Sequence, residues 1–216
     1  ASLRPYESFA ARESGIALTN SIIAELDQAA ATSKGNVTRD VIETLVLQAG
    51  REFNYERCAI ILQNSRGKFR SLYWGAEATI DAKSGEMEIL TRYYEDVDES
   101  DLPLSVLNYT LHSKTRVVLQ STDADSLAPF AHDAYFADTD KRLSLICCAI
   151  FAEGTCYGCL YLEGDEYLSV PNATMLGSLS TICSYLARTL QLYDKLLLKN
   201  LMFDECPNIL VCTPDF

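Results

Sequence analysis

The chain has 216 residues, of which 48% are hydrophobic and 22% are charged, a composition ordinary for a globular protein and unlike that of a disordered one. Thirty acidic residues against eighteen basic ones give a net charge of −12, which disfavours a nucleic-acid partner. The longest apolar stretch, residues 143–152, is too short to cross a bilayer and no signal peptide is recognisable, so we expect a cytoplasmic chain with no membrane partner.

The first part of the chain predicts two helices and then three strands. Isoleucine and leucine at helical spacing, from Ile16 to Leu26, predict a helix that ends before Gly35. A second helix is expected to begin at Asn36 or Thr38, either of which is a good N-cap residue. Short β-prone runs bounded by turn residues predict strands at 58–62, 69–74 and 86–90, and the first two form a hairpin.

The middle of the chain predicts a further helix, a strand and a second hairpin. Pro103 suits the first turn of a helix, and a strand is expected at 116–119. Residues 121–142 have no clean periodicity, and long connections of this kind inside domains are usually functional or mobile. Two almost wholly apolar arms, 143–151 and 156–162, predict a hairpin at the centre of a sheet.

The last third predicts one long helix with a heptad seam. The apolar residues of the seam are spaced alternately by three and four: Leu176, Leu179, Cys183, Leu186, Leu190, Tyr193 and Leu197. We expect this seam either to pack on the domain's own sheet or to form a two-stranded coiled coil with a second copy, and both alternatives stay open. Residues 206–215 predict a break followed by a new strand.

Two stretches in the middle of the chain carry a family likeness. The first stretch comprises residues 102–110 and 116–119, followed by Phe130, Asp133 and Tyr135. The second stretch comprises residues 144–150 and 158–163. Together they resemble GAF domains, in particular those of the large hybrid sensor histidine kinases of fungi and bacteria. The likeness is most specific over 102–163 and extends more loosely over 15–198. Ala149 and Gly164 depart from the pattern, which usually has proline and asparagine at these places.

The resemblance implies an α+β fold, an α/β sandwich with a central six-stranded antiparallel sheet. N- and C-terminal helices would pack on one face of this sheet, and loops would close a ligand pocket on the other. The implied parts are an N-terminal dimer or linker helix at 1–35, a sensory core at 36–172, a signalling helix at 173–202, and a linker or the start of a PAS-type domain at 203–216.

The aromatic segment before the second hairpin is the candidate cover of the pocket. The candidate pocket residues are Phe130, Asp133, Tyr135, Phe136, Ser144 and Cys148. The aromatic side chains are expected to enclose a small molecule, while Asp133 orients a polar group or caps a short helix. The alternative is that Phe130 and Tyr135 simply plug the sheet.

Eight cysteines are many for an intracellular domain and suggest thiol-based redox sensing. The candidate redox residues are Cys58, Cys147, Cys148, Cys156 and Cys159. A sensing thiol must combine a lowered pKa with solvent access. Cys156 and Cys159 have Cys-x-x-Cys spacing, but residues three apart on a strand face opposite sides of a sheet, so we expect no metal site.

No cofactor or catalytic motif is recognisable in the sequence. The Asn-Lys-x-x-Phe-Asp-Glu signature of cyclic-nucleotide-binding GAF domains is missing, and no cysteine precedes a histidine as bilin attachment would require. His112 and His132 are isolated candidates for haem ligation. Because no nucleophile, base and orienting group occur at a recognised spacing, we expect no cofactor and no enzymatic activity.

The sequence therefore predicts a non-catalytic sensory domain of a signalling protein, a sensor histidine kinase, that binds a small molecule or senses redox state. It would form a homodimer through its terminal helices and control an in-chain kinase or PAS-type domain. Two alternatives remain: a dimerisation scaffold without a ligand and, less favoured, a thiol enzyme of the methionine sulfoxide reductase type.

Overall fold

Helices and strands account for most of the chain in a computed structural model, which describes residues 9–34, 36–64, 71–81, 83–90, 95–121, 123–137 and 142–204. The helices are α1 (Phe9–Thr32), α2 (Val37–Phe53), α3 (Leu104–Ser113), α4 (Ala124–Leu127), α5 (Ala134–Ala137) and α6 (Ala173–Asp204). The strands are β1 (Arg57–Asn64), β2 (Ser71–Ile80), β3 (Met87–Leu90), β4 (Val117–Gln120), β5 (Leu143–Ala152) and β6 (Thr155–Asp165).

All six strands form one antiparallel sheet in the order β3-β2-β1-β6-β5-β4. Pairing of β1 with β6 joins the two hairpins at the centre of the sheet. At the β5–β6 turn, Glu153 and Gly154 have φ angles of 47° and 87°, which are the left-handed conformations that a two-residue hairpin loop requires. The six-stranded antiparallel sheet implied by the resemblance is thus confirmed.

A β-bulge in the β5–β6 hairpin changes which cysteines share a face of the sheet. The register shifts between Ile150 and Phe151, so that Ile150 lies opposite Gly158 while Phe151 lies opposite Cys156. Cys156 therefore packs on the same side of the sheet as Cys159. The expectation that these two thiols face opposite sides is wrong, because it assumed an unbroken alternation along the strand.

A second bulge lies in the β1–β2 hairpin, between Ile60 and Ile61. Its effect is the same, since Trp74 and Glu77, three residues apart on β2, both face the side opposite to α1, α2 and α6. The bulge thereby places a buried carboxylate beside the aromatic core of that face.

Helices α2 and α6 cover one face of the sheet, α1 packs across both of them, and the three helices enclose the larger core. Asn36 caps α2, because its side chain accepts a hydrogen bond from the backbone N–H of Arg39 at 3.1 Å. The apolar face of α2, which includes Val41, Leu45 and Ala49, is fully buried against the sheet. No helix within the described residues is long and apolar enough to cross a membrane.

The heptad seam of α6 is buried within this domain. Leu179, Cys183, Leu186 and Leu190 all belong to the core beneath the helices. Of the two alternatives for the seam, packing on the domain's own core therefore holds as far as Leu190. The side chain of Leu197 and the strand predicted within 206–215 lie outside the described residues.

The opposite face of the sheet is covered by α3 and by the segment 123–137, which we call the covering segment. This segment contains α4, a 3-10 turn at Ala128–Phe130, and α5. Asp123 begins it as a helix cap, since its side chain accepts hydrogen bonds from the backbone N–H groups of Asp125 and Ser126. The long connection predicted as irregular is thus built of single helical turns.

Candidate functional site

The aromatic segment that was predicted to cover a pocket lies on the sheet face opposite the long helices. Phe130 is buried with 7% exposure, and Tyr135 and Phe136 pack partly buried against the same core. The carboxylate of Asp133 accepts hydrogen bonds from two elements, from the backbone N–H of Ser105 in α3 at 2.8 Å and from that of Tyr135 in α5 at 3.0 Å. Asp133 therefore fastens the covering segment to the start of α3.

Two of the predicted pocket residues lie on the other face of the sheet. Ser144 Oγ is 3.4 Å from the hydroxyl of Tyr55, which is buried under the helices. Cys148 packs in the same helical core as Cys183. Ser144 and Cys148 therefore do not line a pocket with Phe130, because alternate residues of β5 point to opposite sides.

A cleft of about 670 Å³ opens between the covering segment and the sheet, where β1 begins and β6 ends. It is lined by Glu56, Arg57, Thr79, Glu99, Ser100, Asp101, Ala134, Tyr135, Leu143 and Glu163. This volume lies in the range of small-molecule sites. Of the predicted pocket residues, Tyr135 is the one that lines it.

Two tyrosines and a glutamate form a hydrogen-bonded group at the cleft. The hydroxyl of Tyr135 donates to Glu163 Oε2 at 2.5 Å, and the hydroxyl of the fully buried Tyr161 donates to the same oxygen. Burial raises the pKa of Tyr135 and of Tyr161, and the neighbouring charge of Glu163 raises both further. Both phenols are therefore protonated donors at neutral pH, and Tyr135 ties the covering segment to β6.

A buried ion pair lies beside this group. Arg57 Nε is 2.6 Å from Oε1 of Glu77, a residue with 2% exposure, and Arg57 Nη1 donates to the carbonyl oxygen of Asp101 at 2.9 Å. Burial acts to lower the pKa of Arg57, but the charges of Glu77 and Glu163 outweigh burial and raise it. Arg57 is therefore a permanent cation whose charge Glu77 balances.

The sequence analysis did not single out Arg57, Glu77 or Tyr161 as site residues. The available signal was charge within β-prone apolar runs, since Glu77 stands between two alanines on β2 and Arg57 precedes the apolar part of β1. A charged residue is rarely buried unless it is paired, so such positions indicate a specific environment.

The cysteines form two groups, one on each face of the sheet. Cys58, Cys148 and Cys183 lie in the helical core, while Cys147, Cys156 and Cys159 lie under the cover. Of the five redox candidates, Cys156 is partly buried and the other four are buried.

A sensing thiol needs a lowered pKa, but the pKa values of three buried cysteines are raised. Burial raises the pKa of Cys58. A hydrogen bond with Cys147 and then burial raise that of Cys159, and a hydrogen bond with Cys148 and then burial raise that of Cys183. Since the thiolate is the reactive form, these residues are poor nucleophiles.

Disulfide and metal chemistry also find little support in the geometry of these thiols. Cys147 and Cys159 are diagonal neighbours across β5 and β6, an arrangement that separates Cα atoms by roughly 7–8 Å, beyond the usual disulfide range. Within the described residues no group of histidine, cysteine or acidic side chains could hold a metal ion. The two histidines, His112 and His132, are exposed.

A six-stranded antiparallel sheet, with helices on one face and a covered cleft on the other, defines an α+β sandwich. The GAF domain profile matches residues 38–190, which is more than half of the chain. The chain belongs to the GAF domain family, whose members are regulatory modules of signalling proteins.

Solved structures share this fold at low sequence identity. The GAF domain of an Acinetobacter phosphoenolpyruvate-protein phosphotransferase has 13% identity and a TM-score of 0.55 over 84% of this chain and 96% of that one. A phycocyanobilin-bound GAF domain of a cyanobacterial phytochrome has 14% identity and a TM-score of 0.51, with 88% and 95% covered. Free methionine-R-sulfoxide reductase from Neisseria meningitidis, solved with its substrate, has 16% identity and a TM-score of 0.51 over 87% of this chain and 93% of that one.

These likenesses establish the fold alone. No relative among curated proteins matches the chain significantly. The ligand and the output of this domain must therefore be argued from its own residues.

Proposed function

We propose that this chain is the non-catalytic sensory domain of a cytoplasmic sensor histidine kinase and that it binds a small molecule in the cleft beneath Tyr135. The observation that carries the proposal is the cleft itself, about 670 Å³ in volume, with polar groups converging on one end. Its cover is joined to the sheet by the hydrogen bond from Tyr135 to Glu163, so a bound molecule would meet both layers.

The functional groups of the cleft favour binding over catalysis. The guanidinium of Arg57 is engaged by Glu77, and both tyrosine hydroxyls are engaged by Glu163. The described cysteines lie in strands and in α6, mostly buried, which disfavours a thiol enzyme of the methionine sulfoxide reductase type and also redox sensing.

Strand β6 connects the cleft to the helices. Tyr161 and Glu163 face the cleft side, while Leu160 and Leu162 face the helical core that holds α6. A ligand that repositions the end of β6 would therefore shift the packing under α6, because close-packed cores tend to switch between discrete arrangements. Through α6 the change would reach an in-chain kinase or PAS-type domain.

A homodimer would complete the signalling unit, through the outer surface of α1 and the start of α6. Two shallow grooves of about 480 and 400 Å³ flank α1 and share Gly15, Thr174 and Ser178. Among the described residues that line them, Glu52 is the single charged one. Two chains of net charge −12 would approach most easily over such an uncharged surface.

Native mass spectrometry of the gently purified chain tests the central proposal. We expect a retained small molecule that is lost when Tyr135 and Glu163 are both replaced, as Tyr135→Ala and Glu163→Ala. The matched control removes Glu88, an exposed residue of β3, and should retain the molecule. A chain that never carries a ligand, yet still dimerises, would favour the scaffold without a ligand.

A further inference from the structure

We infer that the molecule recognised by this cleft is a small organic cation, a primary amine or a guanidine, bound by the carboxylate of Glu163 and the ring of Tyr135. This inference rests on the proposed function and names the ligand class of the same site. Three properties of the cleft lead to it: its charge, the hydrogen-bonding of Glu163, and its aromatic and apolar walls.

The described residues that line the cleft carry a net negative charge. Among the described residues that line it, Glu56, Glu99, Asp101 and Glu163 carry carboxylates, and Arg57 is the one basic residue. The charge of Arg57 is balanced from below by Glu77 at 2.6 Å. An anionic ligand would therefore meet net repulsion, whereas a cation would be attracted, and most strongly in the part of the cleft least exposed to water.

Glu163 is the carboxylate best placed to hold such a cation. Tyr135 and Tyr161 both donate to its Oε2 atom. Its Oε1 atom receives no hydrogen bond from the described residues, and an ionised carboxylate has about four acceptor sites. Both phenol hydroxyls already donate their protons to Glu163, so they offer no further donor to a ligand that carries only hydrogen-bond acceptors.

The walls of the cleft suit the carbon part of an organic cation. Ala134 and Leu143 supply apolar surface, and the half-buried ring of Tyr135 lies beside the carboxylate of Glu163. A cation next to a tyrosine ring gains a further attraction, estimated at about 0.5–2 kcal/mol in proteins. This combination of ring and carboxylate favours an ammonium or guanidinium group attached to a small apolar body over a bare inorganic ion.

The test compares two probes of nearly equal shape, benzylammonium and benzyl alcohol, titrated against the complete chain and followed by ligand-observed NMR. We expect benzylammonium to bind at least roughly tenfold more tightly than benzyl alcohol, because a charge-assisted hydrogen bond is lost in the neutral probe. Glu163→Gln should weaken benzylammonium roughly tenfold or more, while Glu88→Gln, the same change at an exposed site, should leave it unchanged.

A second variant separates recognition from folding. Tyr135→Phe keeps the carboxylate and removes one competing donor, so it should hold benzylammonium at least half as tightly as the unmodified chain. Equal affinity for the two probes, or an unaltered affinity in a folded Glu163→Gln chain, would overturn the inference.

The identity of any co-purified molecule distinguishes this inference from the proposed function. A retained neutral or anionic molecule whose binding depends on the cleft would overturn the cation while leaving the sensory role intact. If the chain retains no molecule and binds neither probe, both the inference and the proposed function are overturned.

Discussion

At the scale of single residues, the pair of Arg57 and Glu77 is the most unusual feature of the molecule. A buried ion pair contributes little net stability, because the cost of removing two charges from water offsets their attraction. Glu77 has 2% exposure, and its partner Arg57 lines the cleft. Its position is more consistent with shaping the cleft than with holding the fold together.

Removing one member of this pair should be costly. We expect Glu77→Gln to lower the free energy of unfolding by about 2 kcal/mol, less than the ~3–5 kcal/mol of a fully buried pair, because Arg57 keeps 20% exposure. Urea unfolding measures the change, with Glu88→Gln at the sheet edge as the control. If Glu77→Gln lowers the free energy of unfolding no more than the control does, water already solvates the charge of Arg57.

The tyrosines under the cover predict a loss of stability at high pH. The folded state raises the pKa of Tyr135 and Tyr161, so the unfolded chain releases phenol protons at lower pH than the native one. The associated stability is fully present below about pH 10, the unfolded value, and is lost as pH rises through the folded values. Unfolding by urea between pH 8 and 11 should show this slope.

The matched variants for this slope are Tyr135→Phe and Tyr109→Phe. The first removes one of the titrating groups and should reduce the loss of stability above pH 10. Tyr109→Phe removes the same hydroxyl from an exposed position on α3 and is the matched control. If both variants behave alike, the hydroxyl of Tyr135 does not donate to Glu163 in solution.

Cysteine reactivity gives a further test at this scale. In a Cys206→Ser/Cys212→Ser background, we expect one native thiol, Cys156, to react quickly with a soluble disulfide reagent, because it is the one partly exposed cysteine of the described chain. Cys156→Ser should abolish the fast phase. Rapid reaction of several thiols in the folded protein would reopen redox sensing.

At the scale of elements, local sequence determined the helices and the β5–β6 hairpin but not the register of the sheet. Residue type alone left Asn36 and Thr38 as the candidate caps of α2, and the structure selects Asn36. The hairpin followed from its apolar arms and the turn at Gly154. Bulges were missed because an extra residue in a strand depends on what its neighbour strand requires, which no local pattern carries.

The cleft was missed for the same reason. Asp133 and Tyr135 were identified from the aromatic segment, but Arg57, Glu77 and Glu163 come from three different strands and meet only in the folded sheet. Ser144 and Cys148 were placed on the wrong side of the sheet, since the sequence shows alternation along β5 without saying which face is covered by helices.

Gly158 is the position at which the β6 bulge can be tested. Its φ angle is 155°, and a Cβ there would collide with the backbone of Ile61 on β1. We expect Gly158→Ala to lower the free energy of unfolding by roughly 2–3 kcal/mol, because backbone at the centre of the sheet must move. Gly177→Ala, in open space on α6, should instead raise it by up to about 1 kcal/mol.

Thermal and urea unfolding of the two glycine variants give the answer. A Gly158→Ala chain as stable as the unmodified one would mean that β1 and β6 are separated further than their pairing indicates. A larger separation of β1 and β6 would also change the position of Glu163 on β6 and therefore the geometry of the cleft.

At the scale of the whole molecule, the heptad seam and the dimer must be separated. Because Leu179, Leu186 and Leu190 are buried in the domain's own core, this part of the seam cannot pair with a second copy. The large apolar side chains exposed near the start of α6 include Leu168 at 65% and Val170 at 59%, and Ile16 on α1 is exposed at 62%. An exposed apolar patch of this kind is typical of an interaction surface.

A charge placed on this surface should separate the two copies. We expect Ile16→Glu to weaken dimerisation at least roughly tenfold in sedimentation equilibrium, because the symmetric contact would bring two added carboxylates together in a chain already at −12. Asn108→Glu adds the same charge on α3 and should leave the dimer intact. Raising the salt concentration should partly rescue the Ile16→Glu dimer, since salt screens exposed charge. Equal effects of the two variants would mean that overall charge controls association and that α1 is not the contact surface.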